Sequence, residues 1–169
     1  SRTGGRSAFQ EARESGDEES HPIDRFFDSV DSGSSTVEMD LVADSWAGAW
    51  EAECRNVAVW QKEQLPPQED KDLVDAFIAA AEAQADRMNV MAIYPIADLT
   101  IPQTDRVATS GTLRGVLWAG AYQQIWKDTF YQLLYIAPDY ADGTDSASSY
   151  EFVFDADTMQ SQLDEALAG

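Results

Sequence analysis

The groups that could do chemistry in this chain are few. It holds one histidine, His21, and one cysteine, Cys54. A Ser or Cys nucleophile needs a base beside it. His21 stands in a polar stretch next to Pro22, which predicts a solvated side chain and not a general base. Cys54 falls on the apolar face of a helix and reads as a small core residue. Only Arg55 is adjacent to it, on another part of the helix circumference, so no positive charge activates the thiol. One Cys and one His are too few for zinc. No glycine-rich phosphate loop and no nucleophile elbow is present. Carboxylates abound, but paired-acid hydrolysis needs two at a fixed separation across a cleft, and no pair is privileged by position. Asp139, Asp142, Asp145 and Glu151 surround Gly143 as oxygen ligands for calcium would. With Gly143 as the loop glycine of a twelve-residue calcium loop, positions one and three would be Pro138 and Tyr140. A solvated acidic turn is the stronger reading. The sequence thus predicts no catalytic residue, no cofactor and no metal.

The totals point toward binding. The 169 residues carry 31 acids against 11 bases, a formal net charge of −20. Nucleic-acid binders need clustered Lys and Arg, so nucleic acid is disfavoured as a partner. The anionic surface of a bilayer is disfavoured for the same reason. A basic protein, a cation or a salty environment is favoured, with plain solubility as the background explanation. No apolar stretch is long enough to span a membrane, so no direct insertion is expected. No charged-then-apolar signal peptide opens the chain. A hydrophobic fraction of 44%, with five Trp, six Tyr and seven Phe, is enough for a buried core.

The elements that must position these residues follow from periodicity. Residues 1–35 form a polar leader, and its first twenty residues resemble a tether to an anchor or another domain. One apolar island, Ile23-Asp24-Arg25-Phe26-Phe27, predicts a helical turn docking on the core. Ser35 or Thr36 caps a first long helix, about 37–65, in which Leu41, Trp46, Trp50, Cys54, Val57, Trp60 and Leu65 form one stripe. Glu53, Arg55, Lys62 and Glu63 fall off that stripe. Pro66-Pro67 stops it. A second helix, about 68–93, opens with acids and turns Leu73, Phe77, Ala80, Ala81, Ala85 and Met88 inward. A long connection, 95–111, precedes a third helix of about 112–136 that is apolar nearly all round. Such a helix is central in a bundle or offers an aromatic docking face, for which Trp118, Tyr122 and Trp126 are the candidate partner-binding residues. Beyond Pro138 the chain has eight acids and no Lys or Arg. Residues 149–154 alternate as a short strand would, and a last helix capped by Asp155 or Asp157 places Met159, Leu163 and Leu167 on one side. The expected fold class is mainly α: an antiparallel three-helix bundle over 36–137, with a polar leader at 1–35 and an acidic appendage at 138–169.

The stretch from Trp46 to about Ile136 resembles the small helical domain of the LprI-type lysozyme-inhibitor family. The resemblance is carried by Trp46-Ala47-Gly48-Ala49-Trp50-Glu51-Ala52-Glu53, Glu63-Gln64-Leu65-Pro66 and Ala76-Phe77-Ile78. A loop ending at Thr109-Ser110-Gly111-Thr112 and the third helix complete the order. Ala81-Glu82 stands where that family has an Arg-Asp pair, and Cys54 is single where many members have paired cysteines. The resemblance implies a bacterial cell-envelope protein, often a lipoprotein, of which some inhibit lysozyme.

Three functions are therefore expected, in this order. The first is a non-catalytic, extracytoplasmic binding domain acting on a basic protein such as a lysozyme. The second is a structural or interaction subunit of a larger assembly. The third is an acidic enzyme of a salt-loving organism, whose mark would be stability that collapses in low salt.

Overall fold

A computed structural model describes residues 21–31, 33–91, 100, 113–136 and 150–168. These residues are mainly helical, with five α-helices and no strand among them. Helix α1 spans Pro22–Ser29, α2 Thr36–Gln64, α3 Gln68–Met91, α4 Leu113–Leu134 and α5 Ala156–Ala168.

Local chemistry sets the helix ends. Pro22 takes the first position of α1, where its missing N–H is no loss. Before it, His21 Nδ1 accepts a hydrogen bond from the Ile23 amide at 3.1 Å. At α2 the Ser35 hydroxyl accepts from the Glu38 amide (3.2 Å), and the Glu38 carboxylate accepts from the Ser34 amide (3.3 Å). That reciprocal pair is a variant of the capping box. Gly33, with φ of +80°, makes the turn before it, and a Cβ there would collide with Glu38. Asp155 caps α5 by accepting from the Thr158 amide and hydroxyl.

The contacts set the directions of the helices. Arg55 reaches Glu82 and Lys62 reaches Asp75, so α2 and α3 run antiparallel. Along α2 and α4 the order is the same in both. A Cβ on Gly115 would lie 2.8 Å from the Asp40 carboxylate, Glu51 bonds Tyr122, and Gln61 bonds the carbonyls of Leu133 (2.8 Å) and Leu134 (3.0 Å). These two helices run parallel and share the most extensive interface. Gln61 is buried, and its amide satisfies carbonyls that the end of α4 leaves without helical partners. The arrangement is bundle-like. Its core gathers Ile23 and Phe27 of α1, Trp50, Cys54 and Val57 of α2, Trp126, Phe130 and Leu133 of α4, and Tyr150 and Leu163 from the C-terminal part.

The apolar island of the leader is the helix expected there, two turns long and packed into the core. Other expectations are corrected. The inner face of α3 is turned so that Val74 is buried while Leu73 is 48% exposed and Ala80 also faces outward. Of residues 149–154, the described part, 150–154, is not a strand and has no regular secondary structure. Its partner is a side chain: the buried Glu53 carboxylate accepts from the Tyr150 hydroxyl (2.7 Å) and the Val153 amide (2.9 Å). Asn56 donates to the Tyr150 hydroxyl and to the Glu151 carbonyl. The acidic C-terminal segment is thus joined to the core from Tyr150 onward, and Glu53, expected off the apolar stripe, is buried to receive it.

Tyr150→Phe removes a donor from a buried carboxylate and an acceptor from Asn56. It should cost about 1–3 kcal/mol in urea unfolding, with the largest changes in backbone protection at residues 150–155.

Candidate functional site

The densest polar chemistry lies where α1 meets α2 and α4. Asp24, buried on α1, accepts from two indoles of α2 through one oxygen: Trp46 Nε1 at 2.8 Å and Trp50 Nε1 at 2.9 Å. Its other oxygen pairs with Lys127 Nζ of α4 at 2.6 Å. The Lys127 ammonium also lies 5.6 Å from the centre of the Trp50 ring, within cation–π range. Trp46 stacks on Phe27 (5.3 Å, 9° between planes). The carboxylate is thereby surrounded by donors, and its lone pairs are used in joining three helices.

His21 sits at the edge of this cluster and corrects the expectation of a solvated side chain: it is completely buried. Its ring lies 4.5 Å from Trp50, 4.8 Å from Phe152 and 5.6 Å from Phe130. Since Nδ1 accepts the Ile23 amide, the ring is neutral with its proton on Nε2. Burial depresses its pKa to about 3. The charge of Asp24 opposes that shift, and those of Lys127 and Arg25 assist it. A group so depressed is no general base near neutral pH.

The other candidate groups are equally engaged. Cys54 is buried as expected, and loss of solvation pushes its thiol up to about 12. The Glu53 carboxyl is also pushed up by burial, against the opposing hydrogen bonds from Val153, Tyr150 and Phe154. Among the described residues no group of three or more His, Cys, Asp or Glu could hold a metal ion. Asp139, Asp142, Gly143 and Asp145 lie outside the described residues, as does the 95–111 loop apart from Thr100. No described helix is long and apolar enough to cross a membrane.

The three aromatics expected at a partner surface separate. Trp126 is fully buried and offers nothing to a partner, because α4 packs on both α2 and α3. Its ring instead carries the Arg55 guanidinium at 4.9 Å, which in turn pairs with Glu82 (2.9 Å) and Glu51 (3.6 Å). Trp118 and Tyr122 are half-buried, and their rings meet at a tilt of 35° with centres 4.7 Å apart. The Tyr122 hydroxyl donates to Glu51, and burial together with that carboxylate pushes its pKa up to about 12. The residues missed by sequence reasoning are His21, Asp24, Lys127 and Glu53. Their signal was weak: a polar residue is buried for tertiary reasons that no periodicity records.

The remaining open features are grooves. One, of about 500 Å³, lies between α2, residues 153–155 and α5. A second of similar size lies beside Val59, Trp60 and Tyr150. A third, of about 370 Å³, separates α3 from α4 near Met88 and Ile125. No protein-family model, curated protein or solved structure matches the chain.

Asp24→Ala leaves the Lys127 charge unpaired and two indole N–H groups without an acceptor. It should destabilise the fold by about 3–5 kcal/mol, as loss of one partner of a buried pair does, measured by chemical denaturation at neutral pH. His21 makes stability pH-dependent with a definite sign. Its folded pKa of about 3 lies below the unfolded value near 6.5, so the unfolded chain binds more protons between those values, and stability falls as pH falls through that window. The group alone should remove about 2–3 kcal/mol between about pH 7 and about pH 4.5. Glu53, shifted upward, acts in the opposite direction at the acid end. A His21→Asn variant keeps a capping side chain and carries no titrating ring, so its acid slope should be flatter by that amount.

Proposed function

We propose that this chain is a non-catalytic binding domain of the bacterial cell envelope, acting on a basic protein of the lysozyme type. One observation carries the reading. The residues best suited to chemistry, His21, Cys54 and Glu53, each have 0% exposure and serve the core, while the net charge of −20 is left to attract a partner. An acidic surface speeds encounter with a basic enzyme and supplies part of the specificity. The family resemblance of residues 46–136 supports the choice of partner class. In this reading residues 36–137 are the antiparallel three-helix bundle and the leader tethers it outside the cytoplasm. A second reading, an interaction subunit of a larger assembly, is favoured by apolar side chains beside the groove at Trp60: Val59 is 56% exposed and Val153 53%.

The test is lysozyme activity on cell walls with and without the protein across a salt series. Stoichiometric inhibition that persists at about 0.15 M salt is expected, where charges beyond about 8 Å are screened. Inhibition that disappears with modest salt reduces the effect to a polyanion meeting a basic enzyme. No inhibition at any salt removes lysozyme as the target.

A further inference from the structure

The groove between α2, residues 153–155 and α5 has an unusual combination of floor and rim. Its α2 wall presents Ser45, Gly48 and Ala52, spaced so that they share one helix face. The facing wall presents Val153, Phe154 and Met159. Val153, which borders both this groove and the one beside Trp60, is 53% exposed, an apolar side chain that the described fold leaves uncovered. Gly48 keeps the α2 wall flat, yet a Cβ at this position would meet no atom within 4 Å. Glycine in a helix interior is destabilising relative to alanine, and no neighbour within the described fold demands it.

The charge around the groove is negative and meets no base: Asp155 is the charged residue among those that line it, beside neutral Ser45, Thr158 and Gln162. The two stretches that form the walls, residues 36–54 and 150–168, contain no Lys and no Arg. Asp155 lines the groove, and Asp157, Asp164 and Glu165 are exposed along α5. Asp44 stands one turn before Gly48 on the same side of α2, and partial burial and the charge of Asp40 already raise its pKa. An apolar floor within an uncompensated negative rim repels nucleic acid, an anionic bilayer and a second copy of this chain. It complements an element that is apolar on one side and basic at its margins. A groove of about 500 Å³ has room for a few apolar side chains, as in the helix-in-groove mode of recognition.

We propose that this groove is the docking site for the partner, and that it takes an amphipathic helix whose small apolar face is flanked by Lys or Arg. The proposal rests on the reading of the chain as a binding domain for a basic protein and names the surface that does the binding.

The test uses the full chain and a synthetic, fluorescently labelled helical peptide with an Ala/Leu face and Lys flanks, titrated at about 0.15 M salt. Gly48→Arg places bulk and positive charge on the groove floor. Gly120→Arg makes the same charge change at another exposed helical glycine whose Cβ also meets no atom within 4 Å. Wild type should bind, Gly48→Arg should bind about tenfold or more weakly, and Gly120→Arg should match wild type. Ala52→Arg, also on an exposed position, should repeat the loss, so the result does not hang on how one variant folds; helicity and thermal midpoint are checked for each. Absence of peptide binding overturns the proposal, as does equal weakening by Gly48→Arg and Gly120→Arg. Lysozyme inhibition separates this failure from that of the wider reading. Inhibition unaffected by Gly48→Arg and Ala52→Arg overturns the groove while the binding domain stands. Groove-dependent peptide binding without inhibition supports the groove and removes the lysozyme target.

Discussion

Much of the described fold depends on one carboxylate. Asp24 is the only acid of the short helix α1 that is buried, and it holds two indoles of α2 and the ammonium of α4 at once. A buried ion pair is not in itself a source of stability, because desolvating both charges offsets their attraction. Here each charge has further company: the carboxylate has two indole donors, and the ammonium has the face of Trp50. The geometry fixes which side of α1 faces inward and where α2 stands relative to α4. An apolar contact of equal area would permit more sliding, so specificity of arrangement is the more direct consequence of such a network.

Packing on either side follows from that arrangement. Trp50, held by its indole, offers its ring to His21, Phe130 and Tyr131. His21 in turn meets Phe152 edge-on, which joins the segment before α5 to the same aromatic cluster. Glu53, one turn along α2, receives the backbone and side chain of that segment. The two flanking segments therefore meet over the middle of α2, where the Asp24 carboxylate and one oxygen of Glu53 each receive donors from neighbouring elements. Burial of His21 and Glu53 loads the core with two groups of opposite pH sensitivity, since one prefers to be neutral at high pH and the other at low pH.

What was legible in the sequence divides along physical lines. The helices α2, α3 and α4 were readable because long segments repeat apolar residues near a period of 3.6 and end in clear stops such as Pro66-Pro67. Residue type alone narrowed each cap to two candidates, Ser35 or Thr36 and Asp155 or Asp157, of which Ser35 and Asp155 make the capping bonds. Side-chain fate was less legible. Leu73 and Val74 are both apolar, and only the packing of α3 decides which one turns inward. His21 and Glu53 were misplaced because polar residues are assigned to the surface by default, whereas each is buried against a specific partner. The alternation of Tyr150, Phe152 and Phe154 suggested a strand, yet residues 150–154 form none, and what they meet is a helix bearing a carboxylate. Trp126 was read as part of a docking face because an all-round apolar helix has two explanations, and here the ring lies inside. The groove left almost no trace, since Ser, Gly and Ala carry little periodic signal.

The parallel pairing of α2 with α4, and the late contact of Tyr150 with Glu53, have a consequence for how the chain is made. Asp24 meets Lys127 across a separation of 103 residues, and Glu53 meets Tyr150 across 97. During synthesis from the amino terminus, α1 and α2 emerge long before the groups that neutralise or solvate their buried acids. Long loops must close before these contacts form, which slows folding relative to a bundle of sequence-local hairpins. In that interval Trp46, Trp50 and Phe27 are available to other molecules. The surrounding excess of negative charge then has a further effect, because mutual repulsion between nascent chains restrains their association.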